Sequence, residues 1–432
     1  MKNKMHIISL LIGIVFMVGC NSDKPLQITH KNDFQKYLST KENNKLKNIE
    51  KDIDFWEKKY NEAPNQFTYL LTLSGLYSQR FEIDGAIQDL LHSETLLLEC
   101  NKRVNGEKAG IHRSIAKNYI SQHRFREALS HLEKAYKLGE NKKGTQKMLF
   151  DVYMELGNYD LAEEKLTAIK DFKDFDYLIR LAKWNDHKGD LDTAIQVMEK
   201  AMVMVEKTKN EDLKLWLYSN IADFYGHAGR IQESYDYYLK TLAIDVNNTY
   251  ALKGIAWISF SYERNTAQAL EIINYIESKH LVPDLYLLKA DIYDYNGNTK
   301  EKQLALNDYF AVLSKHNYGD MYNKYNALLY AETPGETEKA FALANKEIMN
   351  RPTPESYDLL AWTYFNNGDY KRAHDIIKKH TLNKSHEPLI LYHNELILKA
   401  NNVLDEDNSH KNELVESIYE LGPNLEKQIR SI

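Results

Sequence analysis

Cysteine is nearly absent: 432 residues hold two, Cys20 and Cys100. A chain with so few thiols has no disulfide framework and must be stable through packing. Proline (8) and glycine (18) are also scarce, which excludes collagen-like chains, Pro-rich linkers and β folds built from many tight turns. Charge of one sign is missing too. Lys and Arg number 56 against 62 Asp and Glu, a net charge of −6, so the basic footprint of a nucleic-acid binder is not there and no nucleic-acid partner is expected. Catalytic signatures are lacking: there is no H-E-x-x-H, C-x-x-C, G-x-S-x-G or G-x-x-x-x-G-K-S/T. We therefore expect no enzyme, no cofactor and no metal. The 15 histidines are scattered. Their tightest group, His374, His380, His386 and His393, reads as ordinary solvated or capping side chains, and Asp405-Glu406-Asp407 as a solvated loop.

Long hydrophobic runs are limited to one. Lys2 and Lys4 precede an apolar stretch at 5–19, interrupted only by His6 and Ser9. The charged start and apolar middle are those of an export signal, and the run is short for a membrane span, which needs about 20 residues. It ends Met17-Val18-Gly19-Cys20. Small residues before a cysteine resemble a bacterial lipobox, with Met17 where Leu is usual. That resemblance implies cleavage of 1–19 and lipid on the sulfur and new amino terminus of Cys20, giving an extracytoplasmic, membrane-anchored protein. The outer membrane of a diderm bacterium is the expected site. Residues 20–45, mostly polar, read as a flexible tether with a short helix near Phe34, and Cys100 as a buried structural thiol.

What the remainder contains is one unit, repeated. Tyr357, Leu360, Ala361 and Tyr364 follow the i, i+3, i+4, i+7 spacing of a helix face. Gly368 then breaks the helix, and Tyr370, Ala373 and Ile377 begin a second apolar stripe. The same pattern recurs at Ile115, Ala116, Tyr119, Phe125, Ala128 and Leu132. It returns at Leu149, Tyr153, Gly157, Tyr159, Ala162 and Leu166, and at Leu181, Ala182, Gly189, Leu191, Ala194 and Met198. Weaker copies place their second-helix anchors at Ala86, Ser234, Ala269, Lys302 and Ala340. The anchors lie 32 to 42 residues apart and cluster on 34.

The pattern resembles the tetratricopeptide repeat. That resemblance implies an all-α superhelix of helix hairpins, an α-solenoid, with about nine units over 67–386 and capping helices on both sides within 46–432. No hairpin buries its apolar stripe alone, so stacking must build the core. Residues 300–340, where the pattern is poorest, are expected to be the softest part.

In this family the first helices line a concave groove that holds a protein or peptide segment. The groove positions implied here are Arg113 and Lys117, Lys147 and Asp151, Ile179 and Lys183, Ser219 and Asp223, Lys253 and Trp257, Leu287 and Asp291, and Asp358 and Trp362. They would give a basic early groove for acidic segments and a later, acidic groove with two exposed tryptophans. The Lys–Asn carboxylate clamp of chaperone-binding members is not present; Asn220 is a lone partial match. The expected function is a lipid-anchored scaffold, in envelope assembly or secretion. The rivals are a SusD-like nutrient-binding lipoprotein, which usually carries larger insertions, and an enzyme with an unrecognised site.

Overall fold

The computed structural model describes residues 26–39, 42–280, 282–403 and 409–432. The leader, Cys20 and the 405–407 acidic run lie outside the described residues. Among the described residues every regular element is helical and no strand occurs, so the fold is the expected all-α solenoid.

Helix Asn44–Glu62 precedes nine consecutive hairpins. These are Phe67–Asp84 with Ile87–Arg103, Ala109–Ser121 with Phe125–Leu138, Lys142–Glu155 with Tyr159–Ala168, Phe175–His187 with Leu191–Glu206, and Glu211–His227 with Ile231–Ile244. The last four are Thr249–Trp257, extended by a π turn at Ile258–Tyr262, with Thr266–Glu277; Asp284–Tyr295 with Thr299–Lys315; Asn323–Glu332 with Thr337–Asn350; and Pro354–Asn366 with Tyr370–His380. Helix Pro388–Ala400 and three short helices follow.

One rule explains seven of the nine crossings. The fourth residue of the second helix is small: Ala128, Ala162, Ala194, Ser234, Ala269, Ala340 and Ala373 all have no exposed surface. Ala116, Ala182, Ala256 and Ala361 meet them from the eighth position of the first helix and are equally buried. Two backbones approach closely only without larger side chains there; added methylenes would overpack by about 1–3 kcal/mol. The first hairpin departs from the expected register. Its second helix starts at Ile87, so the crossing residue is Leu90 and Ala86 lies before the helix. The seventh hairpin carries the half-buried Lys302 at this position, and its second helix buries only Ala305 and Tyr309.

The tether reading is corrected from residue 26 onward. Ile28, Phe34 and Tyr37 are buried in the core of the fifth and sixth hairpins, among Tyr235, Ile255 and Ile272. The backbone amides of Ile28 and Thr29 both donate to Glu263 Oε1, at 2.6 and 2.5 Å. Three apolar side chains and two charge-assisted bonds hold this segment on the body.

The hairpins wind tightly enough for successive turns to touch. His280, in the loop entering the seventh hairpin, reaches Ile83 O of the first at 3.0 Å, 197 residues away. Arg351, entering the ninth, reaches Glu155 of the third at 3.3 Å, 196 residues away. Six hairpins therefore complete one turn. Gly157 belongs to both the hairpin and the winding. Its φ of 69° ends the first helix of the third hairpin, and a Cβ there would stand 3.0 Å from Pro352 O on the next turn. Gly157→Ala should therefore lower stability by about 1–2 kcal/mol from the left-handed backbone alone. Thermal unfolding of the full chain measures it, and an unchanged midpoint would contradict the left-handed turn at Gly157.

Candidate functional site

The inner faces of the first helices carry the residues expected to line a groove, and the structure sorts them into three groups. The first group is engaged within the protein. Arg113 donates to Glu140 O at 2.7 Å and to Thr145 Oγ1 at 3.3 Å. Lys147 pairs with Asp174 and Asp176 at 2.9 and 2.7 Å. Lys183 pairs with Glu155 at 2.9 Å, and Asp151 with Arg180 at 2.6 Å. Burial and two neighbouring lysines act oppositely on Asp174, and Lys147 and Lys143 prevail, holding its carboxyl at about 2. The basic early wall is thus largely neutralised by its own carboxylates. Lys117 remains exposed, with Glu82 no closer than 3.8 Å.

The second group is buried. Asp358 and Trp362 do not face an open groove. Helix Pro388–Ala400 lays His393 over them: its Nδ1 lies 2.8 Å from Asp358 Oδ2, and its ring stacks on Trp362 at 3.8 Å. The Trp362 indole N–H donates to Glu332 at 3.0 Å. Nor do the clustered histidines converge. His380 stacks on Tyr357, and His386 lies against Gly189. Trp257 is only partly exposed, because its N–H donates to Tyr419 O at 3.1 Å and its ring lies against Gly422. These contacts come from the C-terminal chain, which docks on the fifth to seventh hairpins. Ser261 also donates to Tyr419 O, at 2.5 Å, Asn424 donates to Asp291 O at 2.9 Å, and Arg264 pairs with Glu426 at 2.7 Å.

The third group lines open space. A hollow of about 1030 Å³ is bounded by helix Asn44–Glu62, the first two hairpins and, from across the turn, Asp212, Leu215 and Trp216 of the fifth. Its walls alternate small residues (Ser74, Gly75, Ser78, Gly110, Ser114) with Ile49, Phe67, Leu71 and Trp216, and Lys117 stands at the wall. Further along, Asp223, Lys253, Trp257 and Asp291 share one recess with Tyr250 and Tyr325. Sequence reasoning missed Trp216 and Tyr250. Each lies one helical turn before an expected groove position, Ser219 and Lys253, so extending the i−3 spacing toward the helix start would have found both. Tyr325 sits in the first helix of the eighth hairpin, for which the repeat pattern offers an anchor only in the second helix, at Ala340.

Among the described residues no His, Cys, Asp or Glu group is arranged to hold a metal ion, and no helix is long and apolar enough to cross a membrane. Cys100 is buried, and burial pushes its thiol up.

A family model for the anaphase-promoting complex, cyclosome, subunit 3 matches residues 335–406. A sequence search of curated proteins finds no match. Among solved structures, PilW, titled a widely conserved type IV pilus biogenesis factor, is 17% identical, with a TM-score of 0.38 over 49% of this chain and 96% of PilW. A tetratricopeptide repeat protein from Parabacteroides merdae is 14% identical, with a TM-score of 0.33 over 72% of this chain and 98% of its own. The human IFIT1 dimer with PPP-AAAA is 13% identical, with a TM-score of 0.44 over 87% of both chains. At this distance none of their activities transfers. The repeated hairpin, with small residues at its crossings and a family model matching its last units, gives this chain the fold of a tetratricopeptide-repeat solenoid.

Proposed function

We propose that the protein is a lipid-anchored scaffold of the cell envelope that holds an extended segment of a partner protein in the hollow of its superhelix. The observation that carries this is the hollow of about 1030 Å³. It has the dimensions of a ligand cleft, its serines and glycines leave room for a main chain, and Trp216, Phe67 and Leu71 offer an apolar floor. Lys117, free of a close partner, supplies a positive rim for an acidic residue. The envelope assignment rests on Lys2, Lys4, the apolar run at 5–19 and Cys20.

Photo-crosslinking in intact cells tests the scaffold. A photoreactive residue at Ser114, in the hollow, should give adducts of a defined protein, while one at the exposed Gln232, on a second helix, should give none. Equal labelling from both positions, or none from Ser114, overturns the reading. Palmitate labelling tests the anchor separately: Cys20→Ala should abolish incorporation, and persistence of label in the variant would remove the lipoprotein assignment.

A further inference from the structure

The wall formed by the first helices of the fifth to eighth hairpins carries a second recess, of about 330 Å³. Its surface is made of rings and carboxylates. Tyr250 and Tyr325 are 47% and 42% exposed, and the partly exposed Trp257 lies beside them. Tyr238 closes the floor. It reaches there because Gly254, mid-helix, has no side chain: a Cβ at that position would fall 2.2 Å from the Tyr238 ring. Both Tyr238 and Tyr250 donate their hydroxyls to Asp223. The carboxylate is fixed by those bonds, and both rings are fixed with it.

Charge in the recess is unbalanced. Asp223, Asp284 and Asp291 face a single ammonium, Lys253, which is already paired with Asp284 at 2.8 Å. Asp291 has no hydrogen-bond or ion-pair partner for its carboxylate among the described residues. Asp291 is exposed at the recess, yet the surrounding wall, with Asp294 and Glu332 nearby and Lys302 opposing them, pushes its carboxyl up to about 7. Its carboxylate is thus open to an incoming group beside the aromatic faces. Structural carboxylates elsewhere on this wall, such as Asp151 and Glu155, are each matched to a cation.

We propose that this recess receives a cationic side chain, the guanidinium or ammonium of an arginine or lysine in the bound partner segment, seated among Tyr250, Trp257 and Tyr325 with Asp291 as its counter-charge. The inference rests on the scaffold reading and names the chemistry of one anchor residue. Aromatic faces attract a cation through their quadrupole, and a carboxylate at the same site selects charge over shape. An anionic or purely apolar anchor is disfavoured, since it would leave Asp291 facing like charge or oil. The recess lies on the same face of helix Glu211–His227 as Trp216. Asp223 follows Trp216 by seven residues, about 10 Å along the axis, so one extended segment reaches both hollow and recess.

Two blocked pentapeptides test it with the full chain in detergent: Ac-Ala-Ala-Arg-Ala-Ala-NH2 and its citrulline counterpart, the neutral isostere. Competition against a fluorescent copy of the arginine peptide should show roughly tenfold preference for arginine over citrulline, equivalent to 1.4 kcal/mol. Asp291→Asn should reduce that preference to within about twofold. The variant loses no internal bond, so its thermal midpoint should not fall, and a melt confirms that it folds. Equal binding of the two peptides, no binding of the arginine peptide, or an undiminished preference in Asp291→Asn each overturns the proposal. Crosslinking from Ser114 separates the two readings: adducts with no arginine preference leave the scaffold standing without this anchor, and arginine preference without adducts does the reverse.

Discussion

Arg351→Ala should destabilise the full chain by about 3–5 kcal/mol, one of the two largest effects expected here. The guanidinium is 12% exposed and serves three carboxylates: Glu347 (4% exposed) and Glu355 at 3.2 Å, and Glu155 of the preceding turn at 3.3 Å. It also lies over the Phe125 ring. Alanine would leave a buried carboxylate unpaired and remove a tie between turns. Urea denaturation measures the loss, and amide exchange should show it concentrated in the third and ninth hairpins. Arg351→Lys should recover only part, because one ammonium cannot span three acceptors.

The acid limb of this effect has a definite sign. Burial would raise Glu155 and Glu355, but Lys183 and Arg351 around the first, and Lys324 and Arg351 around the second, outweigh it and hold both low. A depressed carboxyl stabilises the fold fully above the unfolded value of about 4.3, and that contribution is lost as pH falls through the folded value. The gap between wild type and Arg351→Ala should therefore narrow below pH 4. A gap that stays constant down to pH 3 would show that the loss is packing, not charge.

His393→Ala is the second large effect. His393 and Asp358 are 2% and 3% exposed and meet at 2.8 Å, while the other Asp358 oxygen has no partner among the described residues. Removing the imidazole strands a buried carboxylate and strips the stacked ring from Trp362, a loss of about 3–5 kcal/mol. Replacing both members by apolar residues, Asp358→Met with His393→Leu, should return stability to within roughly 1 kcal/mol of wild type, since an apolar pair of similar volume carries no desolvation penalty. If the double variant is as unstable as the single one, the pair is not the source. Trp362 fluorescence reports the same change directly.

Where sequence and structure agree, the information was local. A small residue at the fourth position of a second helix is demanded by its own partner helix, so Ala128, Ala162, Ala194 and Ala373 could be read without knowing anything else. Ala86 misled because Gly85-Ala86 imitates the turn and anchor together, whereas the helix begins one residue later and crosses at Leu90. Asp358 and Trp362 were assigned to an open wall by their place in the repeat. What covers them is His393, 35 residues downstream, and the repeat itself carries no sign of that cover. The packed segment at 28–37 was hidden for a related reason: Ile28, Phe34 and Tyr37 are too sparse to mark an element, and their partners lie about 200 residues away.

The contact between successive turns was the least readable feature, because it is the sum of small rotations between nine hairpins and no residue type encodes it. It changes what kind of object the molecule is. A solenoid with separated coils stretches like a spring, unit by unit, under little load. Here His280 against Ile83 and Arg351 against Glu155 fasten each coil to the one before it. A pull along the axis of the superhelix would meet a stiff cylinder until those fastenings gave way together, so the bore would keep its shape under tension up to that threshold.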